Sequence, residues 1–226
     1  METDRLYRVH KEDLPRLEEI LNRCFAKDPL YETLIPDPQL RKRLMPELFR
    51  LDMEEMYRTC EIFADSKELR GVIVVSDEAE PCNLLKFYWT EAWAALHTDV
   101  CLIREDPSLK TFHNFLRGED YLNSRWTRDL GENQRIHIVY LAVDPHSQHH
   151  GIAQILMDAV IEYAQSHGRM LSLETHNARN LEFYRRFGFE VYRILVKHFS
   201  LKQYCLIREA QTRMAPAAQP KLVPQG

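Results

Sequence analysis

The chain has 226 residues, of which 45% are hydrophobic and 28% charged, and its formal net charge is −4. This length and composition are typical of one globular domain with a buried core. The acidic balance gives no basic footprint for nucleic acid, and no apolar run reaches the ~20 residues that a membrane span needs. Five scattered cysteines without C-x-x-C spacing, after a polar N-terminus, indicate reduced thiols in a cytoplasmic protein.

Strands and helices alternate in the pattern of the N-terminal part. Arg5–Val9 predicts a first strand, and an apolar stripe with acidic residues in its first turn predicts a helix over Lys11–Phe25. Asp-Pro dipeptides then interrupt the chain before a second helical pattern over Gln39–Arg58. Glu61–Ala64 and Leu69–Val75 predict two strands around a turn.

The middle of the chain is rich in aromatic residues. After a predicted loop at Asp77–Asn83, residues 84–130 have a helical pattern that Pro107 and Gly118 divide. Two interpretations stay open for the aromatic side chains. They either line an apolar pocket or fill the core, which is the commoner arrangement.

Elements of both kinds continue to the C-terminus. Ile136–Val143 predicts a strand, and apolar residues at helical spacing from Ile152 to Ala164 predict a helix. A strand, a short helix and two strands follow: Met170–Thr175, Ala178–Phe187, Glu190–Val196 and Phe199–Ile207. The order predicts an α/β (α+β) domain over residues 1–212, with a mixed twisted central sheet of about 6–7 strands flanked by helices. Residues 213–226, rich in Pro and Ala, predict a disordered or loosely packed tail.

A loop of six residues, Gln148-His149-His150-Gly151-Ile152-Ala153, separates the strand that ends at Val143 from the next helix. A loop that enters a helix at a glycine exposes backbone N–H groups at the positive end of the helix dipole, which suits a pyrophosphate. An ordinary strand-to-helix connection is the alternative. The sequence has neither G-x-x-x-x-G-K-[ST] nor G-x-G-x-x-G, so nucleoside triphosphate and dinucleotide sites lack their residues.

Three histidines in the same region, His146, His149 and His150, raise the question of a metal site. Zinc would need a fourth ligand of fixed geometry, and only Asp144 stands nearby. We therefore predict no metal, and histidine side chains that face solvent or a phosphate.

Two segments carry a resemblance to a known family. VYLAVDPHSQHHGIA has a strand followed by a [QR]-x-x-G-x-[GA] loop, and ETHNARNLEFYRRFGFEV has an Asn followed by F-Y-x-x-x-G-F. In this order and spacing the two resemble the GNAT superfamily of N-acetyltransferases. The earlier segment CFAKDPLYETLIPDPQLRKRLMPELF is similar, more distantly, to puromycin-N-acetyltransferase-like proteins.

The resemblance implies the GNAT fold, with acetyl-CoA as the cofactor. It implies that the strand before the loop separates from its neighbour and follows the pantetheine arm, which places Leu141, Ala142 and Val143 beside the cofactor. The pyrophosphate would contact the six loop residues: Gln148, His149, His150, Gly151, Ile152 and Ala153. Either Asn177 or Asn180 would hydrogen-bond the pantetheine arm, and Asn177 has the commoner spacing.

Tyr184 is the candidate general acid, because by resemblance the Tyr of F-Y-x-x-x-G-F lies near the sulfur of coenzyme A. A thiol has a pKa of ~8.5 and a phenol of ~10, so this proton transfer is only slightly uphill. A buried packing residue is the alternative. His176 or Glu174 is the candidate general base, unless Glu174 pairs within the sheet or ordered water takes the proton. Tyr140 and His137 are further options, on opposite faces of their strand.

Asp28 and Tyr31 are the candidate substrate-binding residues, because the puromycin-N-acetyltransferase-like branch meets its acceptor there. An Asp-Pro turn at the end of a helix is the alternative. The sequence thus predicts a cytoplasmic N-acetyltransferase that moves acetyl directly to a primary amine, first of all that of a small molecule. Neither motif contains a cysteine, which argues against an acyl-enzyme. We expect a monomer or homodimer, with no nucleic-acid or membrane partner.

Two other functions stay open on sequence alone. A coenzyme A-binding sensor or interaction module would keep the cofactor site without transfer activity, although Tyr184 and both asparagines argue against such decay. A protein or peptide N-acetyltransferase would need an open acidic cleft for its cationic substrate.

Overall fold

A mostly antiparallel sheet forms the centre of the structure, a computed structural model that describes residues 1, 3–77, 96–130 and 134–210. Within these residues the sheet has seven strands: β1 (Tyr7–Arg8), β2 (Glu61–Ala64), β3 (Gly71–Asp77), β4 (Arg135–Val143), β5 (Met170–Thr175), β6 (Glu190–Leu195) and β7 (Gln203–Arg208). Their order is β1-β2-β3-β4-β5-β7-β6, and of these pairs β4–β5 alone is parallel. The predicted mixed sheet flanked by helices is confirmed.

Helices cover both faces of this sheet. In the described ranges they are α1 (Leu14–Phe25), α2 (Pro29–Leu34), α3 (Pro38–Thr59), α4 (residues 96–105), α5 (Lys110–Arg117), α6 (Glu119–Leu122), α7 (Ile152–Ser166) and α8 (Leu181–Arg186). A first core cluster joins one face to α1, α2 and α3, and a second cluster joins the other face to α7 and α8. None of the helices in the described residues is long and apolar enough to cross a membrane.

Two Asp-Pro pairs start helices. Asp28 precedes α2, and its side chain accepts a hydrogen bond from the N–H of Leu30 at 2.9 Å. Asp37 precedes α3 and accepts from the N–H groups of Gln39 and Leu40 at 2.7 and 2.9 Å. A carboxylate at the N-cap satisfies donors that a helix leaves unpaired, and proline is tolerated just after it. The sequence prediction lacks α2, because it treats the first Asp-Pro pair only as an interruption.

The other predicted elements of the described ranges agree with the structure except at their ends. Two helices begin with a 3₁₀ turn, at Lys11–Asp13 and Ala178–Asn180. The last strand begins at Gln203 rather than at the predicted Phe199. The predicted loop before the aromatic segment, the first part of that segment and the C-terminal tail lie outside the described residues.

The two parallel strands separate at their carboxyl ends. The β4–β5 ladder ends with the pair Ile138 and Leu173, whereas β4 continues to Val143 with β3 as its partner. A gap therefore lies between the second half of β4 and the end of β5. This is the separation that the family resemblance implies.

A bulge in β4 lies at the same place. Val74 of β3 pairs with Tyr140, and the next residue of β3 pairs with Ile138, so that Val139 is an extra residue. Val139 and Tyr140 both pack on the first core cluster, whereas Ile138 belongs to the second. The bulge shifts the alternation of side chains by one. His137 and Tyr140 therefore share a face, and the prediction of opposite faces is wrong.

Candidate active site

A cavity of about 350 Å³ lies where β4 and β5 separate. Its walls include Leu48 of the first core cluster and Tyr184 of the second. The cavity therefore reaches both faces of the sheet through the gap between the strands. Its volume is within the range of small-molecule sites, roughly 300–1,000 Å³.

The loop from Gln148 to Ala153 presents open backbone at the start of α7. Gly151 precedes the helix with a φ of 77°, and His149 has a φ of 65°. Among the described residues no side chain caps the helix start, and its first turn has no acidic residue. A Cβ on Gly151 would meet nothing within 4 Å, so the positive φ rather than crowding favours glycine. The start of α7 therefore has the geometry and the positive dipole end that an anion prefers.

Ionic contacts hold the start of this loop against α1. Asp144 follows β4, is buried, and accepts a hydrogen bond from the N–H of His146 at 3.1 Å. Its carboxylate also contacts the guanidinium groups of Arg16 and Arg23, at 2.9 and 3.3 Å. The loop is therefore fixed to the end of β4 and to α1 together.

The three histidines of the loop, His146, His149 and His150, are exposed. His150 Nδ1 lies 2.8 Å from the carbonyl oxygen of Gln148. Over the ranges that the structure describes, no group of three or more His, Cys, Asp and Glu side chains could hold a metal ion.

Leu141, Ala142 and Val143 form the end of β4 and border the gap. They pair with β3 on one side, and the ladder with β5 has ended on the other. The carbonyl of Val143 already accepts hydrogen bonds from Cys24 Sγ at 3.1 Å and Gln148 Nε2 at 3.3 Å. Burial raises the pKa of the Cys24 thiol to about 11, which keeps it protonated as a donor. The backbone that can face a ligand in the gap therefore lies before this carbonyl.

Tyr184 of α8 lies in the wall of the cavity, and its ring packs against Phe183 and Phe189. Its hydroxyl has no hydrogen-bond partner in the described part of the chain. Burial, and then the carboxylates of Asp28 and Glu174, raise the pKa of Tyr184 above its ordinary value. The hydroxyl is therefore neutral at physiological pH and retains its proton at the cavity.

Glu174 of β5 lines the cavity, but its carboxylate is held in a network. Ser124 Oγ donates to Oε1 at 2.7 Å, and Trp126 Nε1 donates to Oε2 at 2.9 Å. His137 Nε2 lies 3.2 Å from Oε2. Burial raises the pKa of Glu174, but His137 and the other two donors outweigh burial and bring the pKa below its usual range. A carboxylate held in this way is a weak base, so the geometry favours pairing within the sheet over proton abstraction.

His176 follows β5 and also lines the cavity. Its Nε2 atom is buried and has no hydrogen-bond partner among the described residues. Burial lowers the pKa of His176, and the carboxylate of Glu174 partly offsets this effect. The ring is therefore neutral near pH 7, and Nε2 can accept a proton when Nδ1 carries the hydrogen.

The two asparagines of the second motif take different positions. Asn177 caps a 3₁₀ turn, and its Oδ1 accepts from the N–H of Arg179 at 3.1 Å. Asn180 lines the cavity and donates to Thr175 Oγ1 at 3.3 Å. The geometry therefore favours Asn180 as the neighbour of a pantetheine arm, although the spacing favours Asn177.

Asp28 and Tyr31 both line the cavity. Burial raises the pKa of Asp28, although the N–H of Leu30 offsets part of the effect. Tyr31 is buried beside Tyr140, whose hydroxyl donates to Asp52 Oδ2 at 2.7 Å. Asp28 thus serves as the cap of α2 and as part of the cavity wall.

Sequence reasoning missed two carboxylates of α3, Asp52 and Glu55, that line the cavity. Asp52 stands four residues after Leu48 and four before Met56, so the three share one helix face, and all three line the cavity. An acidic residue within an apolar stripe is the signal that could have identified it.

The cavity is strongly acidic. Its lining within the described residues has no lysine or arginine, and has four carboxylates: Asp28, Asp52, Glu55 and Glu174. Charges of one sign between low-dielectric walls concentrate the electric field, and aromatic rings also attract cations. Six aromatic side chains line the same space: Phe25, Tyr31, Phe115, Tyr121, Tyr140 and Tyr184. The site suits a small cation.

Comparisons with known proteins identify the family. The sequence matches the acetyltransferase (GNAT) family over residues 16–189. A crystal structure of "histone acetyltransferase HPA2 and related acetyltransferase" from Corynebacterium glutamicum is similar, with 16% identity and a TM-score of 0.60 over 93% of this chain and 98% of that chain. PaiA N-acetyltransferase from Thermoplasma acidophilum, in complex with coenzyme A, has 12% identity and a TM-score of 0.53 over 90% and 97%. Arylalkylamine N-acetyltransferase 2 from Aedes aegypti has 13% sequence identity and a TM-score of 0.51, over 91% of this chain and 98% of that chain. A comparison with curated protein sequences finds no significant match.

Because the family match spans most of the chain, this protein belongs to the acetyltransferase (GNAT) family and is an N-acetyltransferase. At their low identity, the solved structures support the fold alone. The resemblance to the GNAT superfamily is confirmed, whereas the puromycin-N-acetyltransferase-like branch is not confirmed by these comparisons.

Proposed function

We propose that this chain is a cytoplasmic enzyme that transfers the acetyl group of acetyl-CoA directly to a primary amine of a small molecule. The observation that carries the proposal is that an acidic cavity lies at the β4–β5 gap, and that the loop after the same strand β4 leads to the open start of α7. Family membership and the coenzyme A complex of the Thermoplasma PaiA protein support the cofactor.

The start of α7 fits the pyrophosphate of coenzyme A. Backbone N–H groups at Gly151, Ile152 and Ala153 would hold it, because the described side chains neither cap this helix start nor place an acidic group in its first turn. The pantetheine arm would lie between Leu141 on β4 and Asn180 on the opposite wall. When bound, acetyl-CoA supplies an activated carbonyl and a thiolate leaving group.

Tyr184 is the proton donor in this proposal. Its hydroxyl lies at the cavity, stays protonated, and has no competing partner in the described residues. Tyr184 Oη would give its proton to the departing sulfur, a transfer that general acids of this kind accelerate by about 10²–10⁴.

The acceptor amine must lose a proton before it can attack, since an alkylammonium has a pKa of ~10. Two groups of the cavity can receive it. His176 offers the unpartnered Nε2, and Asp28 offers a carboxylate whose pKa burial raises. A pH profile of kcat/KM for His176→Gln and Asp28→Asn distinguishes them, because loss of the acting base removes the limb that it controls.

The cavity supports a small cationic acceptor. Its volume of about 350 Å³ and its four carboxylates match an alkylammonium or arylalkylammonium molecule. The Aedes arylalkylamine N-acetyltransferase, which shares the fold, is named for such an acceptor. Phe115 and Tyr121 line this cavity and also pack in the first core cluster, so both interpretations of the aromatic segment apply to them. Trp126 instead contributes to the network of Glu174.

The test is thiol release from acetyl-CoA with a panel of alkylamines, diamines, phenylethylamine and a short peptide. We expect release above the amine-free rate with small amines, together with the mass of one acetyl group on the amine. Release with the peptide alone would assign the acceptor to polypeptides. No release with any amine, while coenzyme A still raises the Tm, would contradict transfer and leave a binding module.

A further inference from the structure

We infer that Asp52 binds a second positive charge of the acceptor, so that the enzyme prefers a diamine to a monoamine of equal chain length. The inference rests on the proposed function, because it concerns the far end of the same cavity. The observation that carries it is a partly buried carboxylate that has no cationic partner among the described residues and is set in an aromatic wall.

Asp52 has one hydrogen-bond donor and no cation among the described residues. Oδ2 accepts from Tyr140 at 2.7 Å, and no described lysine or arginine forms an ion pair with the carboxylate. Glu54 on the same helix is by contrast paired with Arg50 at 2.9 Å. A charge that is partly withdrawn from water loses hydration, and an opposite charge can compensate for that loss. A cationic group of the ligand would supply the ion-pair partner that Asp52 lacks among the described residues.

The charge state of Asp52 agrees with this role. Burial raises the pKa of Asp52 to about 6, although the hydrogen bond from Tyr140 offsets part of the effect. The carboxylate is therefore ionised at pH values above about 7. An ammonium group that enters the cavity would then meet a negative charge with little competing solvent.

The wall around Asp52 is aromatic. Tyr31 and Tyr140 both line the cavity beside Asp52, and their rings both pack near Phe49. The Tyr140 ring lies 5.6 Å from the ring of Phe25 and 6.3 Å from that of Phe49, centroid to centroid. Aromatic faces attract an ammonium group and exclude the anions that would compete with it.

Asp52 and Tyr184 lie on different sides of the sheet: Asp52 is hydrogen-bonded to Tyr140, which packs on the first core cluster, and Tyr184 belongs to the second. The carboxylates that raise the pKa of Tyr184, after burial, are Asp28 and Glu174. Asp52 instead raises the pKa of Tyr31, after burial, and Asp28 raises it as well. Asp28 therefore raises the pKa of both tyrosines. A molecule with two amino groups can place one near Tyr184 and the other at Asp52.

The test compares 1,4-diaminobutane with butylamine, which differ only in the distal amino group. Above about pH 7.5, kcat/KM for the diamine should exceed that for the monoamine by about tenfold or more, since a hydrogen bond to a charged group contributes that much. Asp52→Asn can still accept from Tyr140 but has no charge. It should lower kcat/KM for the diamine about tenfold or more and that for butylamine much less, so that the preference is lost. Glu54→Gln removes a carboxylate of α3 outside the cavity, and should keep the preference.

Equal kcat/KM values for the two amines in the wild type, or equal losses for both in Asp52→Asn, would overturn the inference. A binding measurement separates this outcome from failure of the proposed function. With coenzyme A present, 1,4-diaminobutane should raise the Tm of the wild type more than butylamine does, but not that of Asp52→Asn. If this pattern appears without acetylation of any amine, the proposed transfer fails and the diamine site stands. Diamine binding that does not depend on Asp52 would reject the site.

Discussion

The cofactor end and the acceptor end of this site are built from different parts of the chain. At the proposed cofactor end, backbone N–H groups after Gly151 would form the contact surface, and Asp144 holds the start of the loop. At the acceptor end, side chains of α2, α3 and β5 surround the cavity. Backbone recognition depends on local chain geometry and leaves a contiguous motif in the sequence. Side-chain recognition assembles distant residues and leaves none.

The largest effect is expected where the two ends meet, at Tyr184. Tyr184→Phe keeps the buried ring and removes only the proton donor, so kcat should fall about 10²- to 10⁴-fold. The KM for acetyl-CoA should change little, provided that chemistry limits the rate. The hydroxyl has no hydrogen-bond partner in the described residues, so the Tm should match that of the wild type. If Tyr184→Phe turned over as fast as the wild type, Tyr184 would be a packing residue and not the proton donor.

Gly151→Asp should disable the cofactor end alone. Acetyl-CoA at ~100 times its Kd adds about 2.7 kcal/mol to the free energy of unfolding. A carboxylate beside the pyrophosphate should remove most of that gain, measured as the ligand-induced Tm shift. Gly168→Asp is the matched control, because Gly168 follows α7 with a φ of 63° and equally open surroundings. An unchanged shift in Gly151→Asp, or equal losses in both variants, would contradict the assignment.

The difference between the two ends also decides what the sequence could predict. The loop before α7 and Tyr184 could be predicted from the sequence, because each lies in a short local motif. The bulge in β4 was not, because one extra residue leaves the strand pattern intact while it moves Tyr140 onto the face of His137. Asp52 was missed because the buried face of a helix is identified by its apolar residues. The cavity that Asp52 lines forms only when distant segments of the chain fold together.

The acceptor end should cost the ligand-free protein some stability. The pKa of Asp52 rises on folding from 3.8 to about 6, so between these values the native state binds more protons than the unfolded state. Wild-type stability therefore falls as pH rises through this window and stays lower above it. Asp52→Asn should gain about 2 kcal/mol in urea unfolding near pH 7.5, and little near pH 4. A gain of equal size at both pH values would contradict a charge effect.

Support of the cofactor loop should show the smallest effect. Asp144→Asn can still accept from His146 N–H but loses the charge that faces Arg16 and Arg23, two half-exposed side chains. Such pairs contribute about 0.2–1 kcal/mol, so the KM for acetyl-CoA should rise about two- to fivefold at unchanged kcat. Steady-state kinetics with both substrates checks this. A larger change in the KM of the amine would mean that the two ends are not separate.

A crystal structure with coenzyme A bound tests the central claim most directly, because it shows whether the two ends meet at Tyr184. The account predicts the pyrophosphate on the N–H groups of Gly151 to Ala153 and the pantetheine arm in the gap between β4 and β5. It also predicts the sulfur within hydrogen-bond distance of the Tyr184 hydroxyl. A cofactor bound outside the gap, or a sulfur remote from Tyr184, would contradict it.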